Sequence, residues 1–165
     1  GSRFRSSIDP GVFYGSDSVP TAAAEVGFWR WKFVQESAGL DRLGPAPHTA
    51  FSAPVRTKGV DLRRPPFHKD EHVWTNPDDY AGTQTFGRVA RAAGAGAIVY
   101  RSVRSPVASS WCAAILTPRA FAANAPDRGM QSWHLVVTEG EVIWRRALGE
   151  ALSFDMRRWN RHPPL

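Results

Sequence analysis

The chain has 165 residues, 42% hydrophobic and 12% aromatic with seven tryptophans, which is enough to bury a core in one domain and too much for a disordered segment. One cysteine excludes an internal disulfide and any cysteine-cluster metal site, and no run of about 18 apolar residues offers a membrane span. The net charge of +6 suits anionic partners, but most of the cations are scattered and read as a solvated face.

Residues 1–15 read as a first strand pair. Arg3 and Arg5 alternate with Phe4, so on a strand they share one face. Two guanidinium forks on one face would receive a diphosphate, because each presents a planar set of donors. Arginines guarding a solvated edge strand are the competing reading. Val12-Phe13-Tyr14 is an apolar strand run between Gly11 and Gly15. Ser18, Pro20 and Thr21 then carry helix-start chemistry. From Ala22, AAAEVGFWRWKFV has the spacing of a buried helix, running to about Ser37 with Gly39 as its stop.

Glu25 falls about one turn inside that helix. A capping box places its acid three residues after the hydroxyl, and three after Thr21 is Ala24. Glu25 is therefore either a site carboxylate or the partner of Arg30 or Lys32 on a solvated face. Trp29, Trp31 and Phe33 read as core or interface aromatics.

Residues 40–47 form a Pro/Gly loop, and residues 48–62 one extended strand with Pro54 at an edge or bulge. Residues 63–76 are a polar connection. His68 and His72 have a metal-ligand spacing, but the local sequence is a poor helix and lacks a third ligand, so no metal is expected. A second helix starts at Pro77-Asp78-Asp79-Tyr80 and runs to Gly94, capped by Asp78 or Asp79. Phe86, Val89 and Ala93 would be its buried stripe, with Arg88 and Arg91 solvated.

Residues 97–103, AIVYRSV, form a buried strand that delivers Ser102, Arg104 and Ser105 into a loop. A serine hydroxyl both donates and accepts, so Ser102 can hold a ribose hydroxyl or a phosphate oxygen; the plain alternative is a turn residue. No GxSxG elbow is present, which rejects serine hydrolysis. No GxGxxG or GxxxxGK[ST] loop is present either, so a nucleotide would not be held in a Rossmann manner. Residues 111–117 are an apolar strand holding Cys112 as a small buried residue. Residues 118–132 are a loop or short helix, WHLVVTEGEVIWRRA is a hairpin turning at Glu139-Gly140, and ALSFDMRRWN is a short C-terminal helix. The sum is an α+β fold, with β-sheets flanked by two main helices rather than an alternating series.

Three of these stretches carry a family likeness. RFRSSIDPGVFYGSDSVPTAAAE, followed by GAIVYRSVRS, resembles the RES domain across roughly the whole chain, with Arg3, Glu25 and Ser102 at the positions of the family's Arg, Glu and Ser and Tyr14 also matching. The chain opens directly on the motif, as a single domain spanning residues 1–165 and trimmed at its N-terminus would. The link VASSWCAA departs from the more glycine-rich stretch that close relatives would be expected to carry.

The resemblance implies an ADP-ribosyltransferase-like fold and an activity on NAD, with NAD as substrate and no further cofactor. It implies a bacterial toxin that cleaves the nicotinamide–ribose bond, by water or by phosphate. Glu25 would be catalytic with Arg3, and Arg3, Arg5, Tyr14, Ser102 and Arg104 would bind NAD. It also implies an antitoxin partner, and a cytoplasmic site of action in the producing cell or in a target cell. The alternatives are a mono-ADP-ribosyltransferase acting on one protein and a non-catalytic nucleic-acid-binding module. The scattered arginines and the lack of a reader motif count against the last of these.

Overall fold

The computed structural model describes residues 1–147 and 149–159. The chain divides into two compact units: Gly1–Thr21 with Ala53–Pro126, and Ala22–Ser52 with Asp127–Leu165. Each holds one four-stranded sheet, so the composition is mixed α+β as expected.

In the first unit, strands β1 (Phe13–Ser16), β3 (Gly59–Asp61), β4 (Ala97–Arg101) and β5 (Trp111–Ile115) lie in the order β1-β5-β4-β3. Only the β3–β4 pair is parallel. Tyr14 sits opposite Ala114, and Arg101 opposite Trp111. One core gathers Phe4, Leu62, Ile98, Tyr100, Cys112 and Ala114, with Ala90 from a helix over Ala81–Ala92.

The expected first strand pair is replaced by a tight turn. Ser2 and Arg5 exchange backbone hydrogen bonds of 2.8 and 3.2 Å, which puts Arg3 and Phe4 at the turn's centre. Arg3 and Arg5 therefore do not share a strand face. Burial of Phe4 decides this: it is 1% exposed, and its ring meets Tyr100 edge-on at 5.0 Å. Only Phe13–Ser16 of this stretch is strand, and its partner is β5.

The helix Ala81–Ala92 (α3, following the helix α1 over Val19–Glu36 and a single turn α2 over Glu71–Trp74) packs Phe86 of the expected stripe against the core, but not the other two members. Thr83, Gly87 and Ala90 face inward, and Val89 and Ala93 are exposed. Gly87 sets the rotation: a Cβ there would stand 2.5 Å from the Phe4 carbonyl oxygen, so only glycine lets the helix rest on that turn. Arg91, expected in solvent, instead donates to the carbonyls of Leu116, Pro10 and Gly11. Asp79 accepts from the Ala81 amide (2.8 Å), while Asn76 Oδ1 accepts from the amides of both Asp78 and Asp79.

The second unit packs α1 on a sheet ordered β2-β6-β7-β8, with β2 Leu43–Ala50, β6 Gln131–Val137, β7 Glu141–Arg146 and β8 Ala151–Asp155. The β6–β7 hairpin is the one expected, turning at Glu139-Gly140. Trp133, Leu135 and Val137 alternate inward on β6, and Val142 and Trp144 follow on β7. Full burial of each such aliphatic is worth about 1.5–3 kcal/mol.

Helix α1 starts three residues earlier than Ala22, because Ser18 Oγ accepts from the Thr21 amide (3.3 Å). It ends before Gly39, whose φ of 77° suits glycine. Gly27 brings the helix against Val142, where a Cβ would approach to 2.8 Å. Trp144 Nε1 donates to the Ala23 carbonyl at 3.1 Å, and Trp31 Nε1 to that of Glu139 at 3.3 Å. Trp31 is buried, whereas Trp29 and Phe33 are 46% and 54% exposed.

Two further expectations change here. Residues 43–50 are strand, not loop, and the single strand expected over 48–62 is split by the irregular stretch 51–58. Pro45 and Pro47 are tolerated because β2 is an edge strand, where a missing amide costs no ladder bond. The C-terminal stretch is strand β8 followed by a single 3-10 turn over Met156–Arg158, not a helix. Asn160, also in that expectation, lies outside the described residues. Pairing with β7 and the stacking of Trp159 on Phe154 at 5.9 Å outweigh local helix preference.

Candidate functional site

Five of the six expected site residues lie in the first unit, and Glu25 lies in the second. Arg3, at the centre of the N-terminal turn, is 8% exposed. Its Nη1 donates to the carbonyls of Trp74 (3.0 Å) and Asn76 (2.8 Å). Its guanidinium carbon stands 4.7 Å from the ring centre of Tyr80 and 5.9 Å from that of Tyr100. A cation between two aromatic faces keeps much of its stabilisation away from water.

Arg104 leaves the loop after β4 and is 7% exposed. Its Nη2 donates to the Pro77 carbonyl at 2.8 Å. Arg3 and Arg104, a hundred residues apart, thus grip one four-residue stretch, Trp74–Pro77. A loop with inward carbonyls needs such donors, since a buried acceptor left unmade costs about 1–3 kcal/mol.

The Tyr14 hydroxyl is engaged at the N-terminal turn. It accepts from the Phe4 amide at 3.0 Å and pairs with Ser2 Oγ at 2.9 Å, so Tyr14 locks the turn that carries Arg3. Burial pushes its phenol above the ordinary value, against the opposing hydrogen bonds and the Arg3 and Arg5 charges. Replacing Tyr14 with Phe should cost about 1–3 kcal/mol at neutral pH, because the Phe4 amide loses its acceptor. A raised acid pKa means the folded state holds the proton more tightly. The wild-type advantage is then complete below about pH 10 and fades as pH climbs through the folded value. Urea denaturation of both proteins at pH 7 and at high pH reads this as a narrowing gap.

Arg5 bonds close to its own place in the chain. Its Nη2 reaches the Ser7 carbonyl at 3.4 Å, and its Nε is buried without a hydrogen-bond partner among the described residues. The shared arginine face expected from the sequence does not form.

Ser102 is the first residue past β4 and is 9% exposed. Its amide donates to the Ser110 carbonyl (2.9 Å), and its Oγ accepts from the Ser105 amide (3.1 Å). This is a serine turn, in which a side-chain oxygen replaces a backbone acceptor. It fixes where the strand end releases the chain toward Arg104.

Glu25 is half-buried on the second turn of α1, four residues past Thr21. Lys32, one of its expected surface partners, bonds Glu36 at 3.6 Å and lies 5.6 Å from the Trp29 ring centre.

Sequence reasoning missed the Trp74–Pro77 loop, the contacts of Tyr80 and Tyr100 with Arg3, and Ser110. Asn76-Pro77 was legible as a turn signal. Nothing local marks a carbonyl that will be gripped from residue 3 or residue 104. Among the described residues, no three His, Cys, Asp or Glu side chains are grouped to hold a metal ion, and no helix is long and apolar enough to cross a membrane.

The model of the RES domain family matches residues 1–138. No curated protein matches the chain. The two-sheet α+β architecture is consistent with the ADP-ribosyltransferase-like fold of that family.

Proposed function

From the premise that the chain belongs to the RES domain family, we propose that it binds NAD and breaks the bond between nicotinamide and ribose. The family is associated with toxin–antitoxin systems and with ADP-ribosyltransferase-like, NAD-utilising enzymes. The observation that carries the reading is the convergence of buried Arg3 and Arg104 on one loop, with Ser102 at the end of the strand that leads to Arg104. Buried cations at a strand end are how a fold without a glycine-rich phosphate loop can hold a diphosphate.

Nicotinamide leaves as a neutral molecule and takes the electron pair of the glycosidic bond. The positive charge of the pyridinium passes to the ribose in an oxocarbenium-like state. No acid is required, so one carboxylate suffices. Glu25 supplies it, countering the charge and accepting from the ribose hydroxyls. Arg3 meets the diphosphate with the part of its fork not turned to Trp74 and Asn76, and Arg104 assists. The buried, unpartnered Nε of Arg5 suits a residue completed on ligand binding. Ser102 holds the ribose or a phosphate oxygen, and the partly exposed ring of Tyr14 stacks on a base. Water, phosphate or a protein side chain then takes the ribose carbon. An antitoxin-type partner covers the site in the resting cell.

Incubation of the purified protein with NAD labelled in its adenylate half tests this. Free ADP-ribose or its phosphorylated form is expected. Label on a protein means a transferase. Intact NAD after prolonged incubation, with affinity for nucleic acid that falls steeply with salt, would overturn the enzyme reading.

A further inference from the structure

We propose that Ser110, in the link VASSWCAA, is a positioning residue that sets the loop carrying Ser102 against the start of helix α1. The inference rests on the functional reading above, since it names what holds that site's serine in place. Ser110 is 5% exposed and precedes β5. Its Oγ accepts from Thr21 Oγ1 at 3.1 Å and from Ser105 Oγ at 3.1 Å. Its carbonyl accepts from the Ser102 amide at 2.9 Å, and its own amide donates to the Val107 carbonyl at 3.1 Å.

Thr21 is 1% exposed and stands in the first turn of α1, where its hydroxyl also meets Ser18 Oγ at 2.9 Å. The bonds thus run from the helix cap through Thr21 and Ser110 to Ser105, whose amide returns to Ser102 Oγ at 3.1 Å. Ser105 Oγ also accepts from the Val107 amide at 3.2 Å, so the loop closes on itself through the same side chains.

The chemistry suits positioning rather than reaction. A hydroxyl accepts two bonds and donates one, so one small side chain can join a helix start to a loop without charge. Buried hydroxyl networks are costly when incomplete, which makes each member hold its neighbours in one arrangement. At the helix end of the chain Ser18 Oγ also donates to Asp17 Oδ1 at 3.3 Å, which anchors the line of hydroxyls to a charged group. Glu25 follows Thr21 on the same unbroken helix. A shift at Ser110 is therefore a shift of Ser102 relative to the helix start that precedes the proposed catalytic carboxylate.

The test compares Ser110→Ala, Ser110→Thr and Thr21→Val with wild type. Steady-state kinetics on NAD and amide hydrogen exchange over residues 102–107 are measured on each folded protein. Ser110→Ala should raise KM about tenfold, the equivalent of one lost buried hydrogen bond, with kcat changed less. The Ser105 and Val107 amides should exchange faster. Ser110→Thr, which keeps the hydroxyl, should recover most of the KM. Thr21→Val combined with Ser110→Ala should do no more than Ser110→Ala alone, since both cut one chain.

An unchanged KM in folded Ser110→Ala overturns the proposal. So does a loss that Ser110→Thr fails to recover, which would mark a packing defect. Wild-type protein inert toward NAD overturns the functional reading itself, and with it any substrate-positioning role, whatever the exchange rates do.

Discussion

If the chain breaks NAD as proposed, replacing Glu25 with Gln should leave a folded protein that consumes NAD about a thousandfold more slowly than wild type. The substitution keeps the length and hydrogen-bonding reach of the side chain and removes only its charge. Glu and Gln have nearly equal helix propensity, so α1 is not disturbed. What is lost is attraction to a cationic ribose. For charges about 4 Å apart in an effective dielectric of about 20, that attraction is about 4 kcal/mol. Each 1.36 kcal/mol is about tenfold in rate, which gives the thousandfold figure.

Glu25→Asp, which keeps the charge one methylene short, should fall between the two. Thermal melting controls for folding, and loss of NAD absorbance or fluorescence reads the rate. A folded Gln variant that consumes NAD at the wild-type rate removes Glu25 from the chemistry. The helix would then need another reason to carry a half-buried acid at its second turn.

Replacing Arg3 with Ala has a double cost. The Trp74 and Asn76 carbonyls each lose a donor, and the contacts with Tyr80 and Tyr100 disappear. A hydrogen bond from a charged group contributes about 1.5–3 kcal/mol, and a shielded cation–π contact about 0.5–2 kcal/mol. Allowing for relaxation of the loop, about 3 kcal/mol of stability should go. NAD affinity, measured on the folded fraction at low temperature, should drop at least about tenfold. Arg3→Lys keeps the charge but not the fork, so it should recover some affinity and little of the stability.

The two readouts separate two roles. Stability lost with affinity kept would make Arg3 a clamp on the loop and nothing more. Stability and affinity both unchanged would mean that neither role is real.

The elements that could be read from local pattern are those whose pattern repeats. Helix α1 was legible from AAAEVGFWRWKFV because apolar side chains recur at helical spacing between a hydroxyl cap and Gly39. The β6–β7 hairpin was legible because inward residues alternate on both sides of Glu139-Gly140. The buried strand ending at Arg101 was legible as an apolar run, and it placed Ser102 correctly at a strand end.

The failures have a common physical cause. RFR alternates like a strand, but Phe4 gains more by entering the core than the alternation gains by pairing, so the stretch closes into a turn. Phe86, Val89 and Ala93 have helical spacing, and Phe86 does pack on the core, but the contact of Gly87 with the Phe4 carbonyl leaves Val89 and Ala93 outside. ALSFDMRRWN has ordinary helix propensity, yet an unpaired β7 edge was available for it.

What the sequence by itself determined is the α+β class, the helix that bears Glu25, and the residue types of a family whose model covers residues 1–138. These depend on periodicity, capping and motif order, all local to the chain. Only the tertiary structure decided that Arg3 and Arg104 hold one loop, that Tyr14 locks a turn, and that a line of hydroxyls runs from Ser18 to Ser102. Such contacts pair backbone carbonyls and small polar groups far apart in sequence. No carbonyl carries a residue-specific signature, so its partner is settled only when the sheet and helices bring the two together.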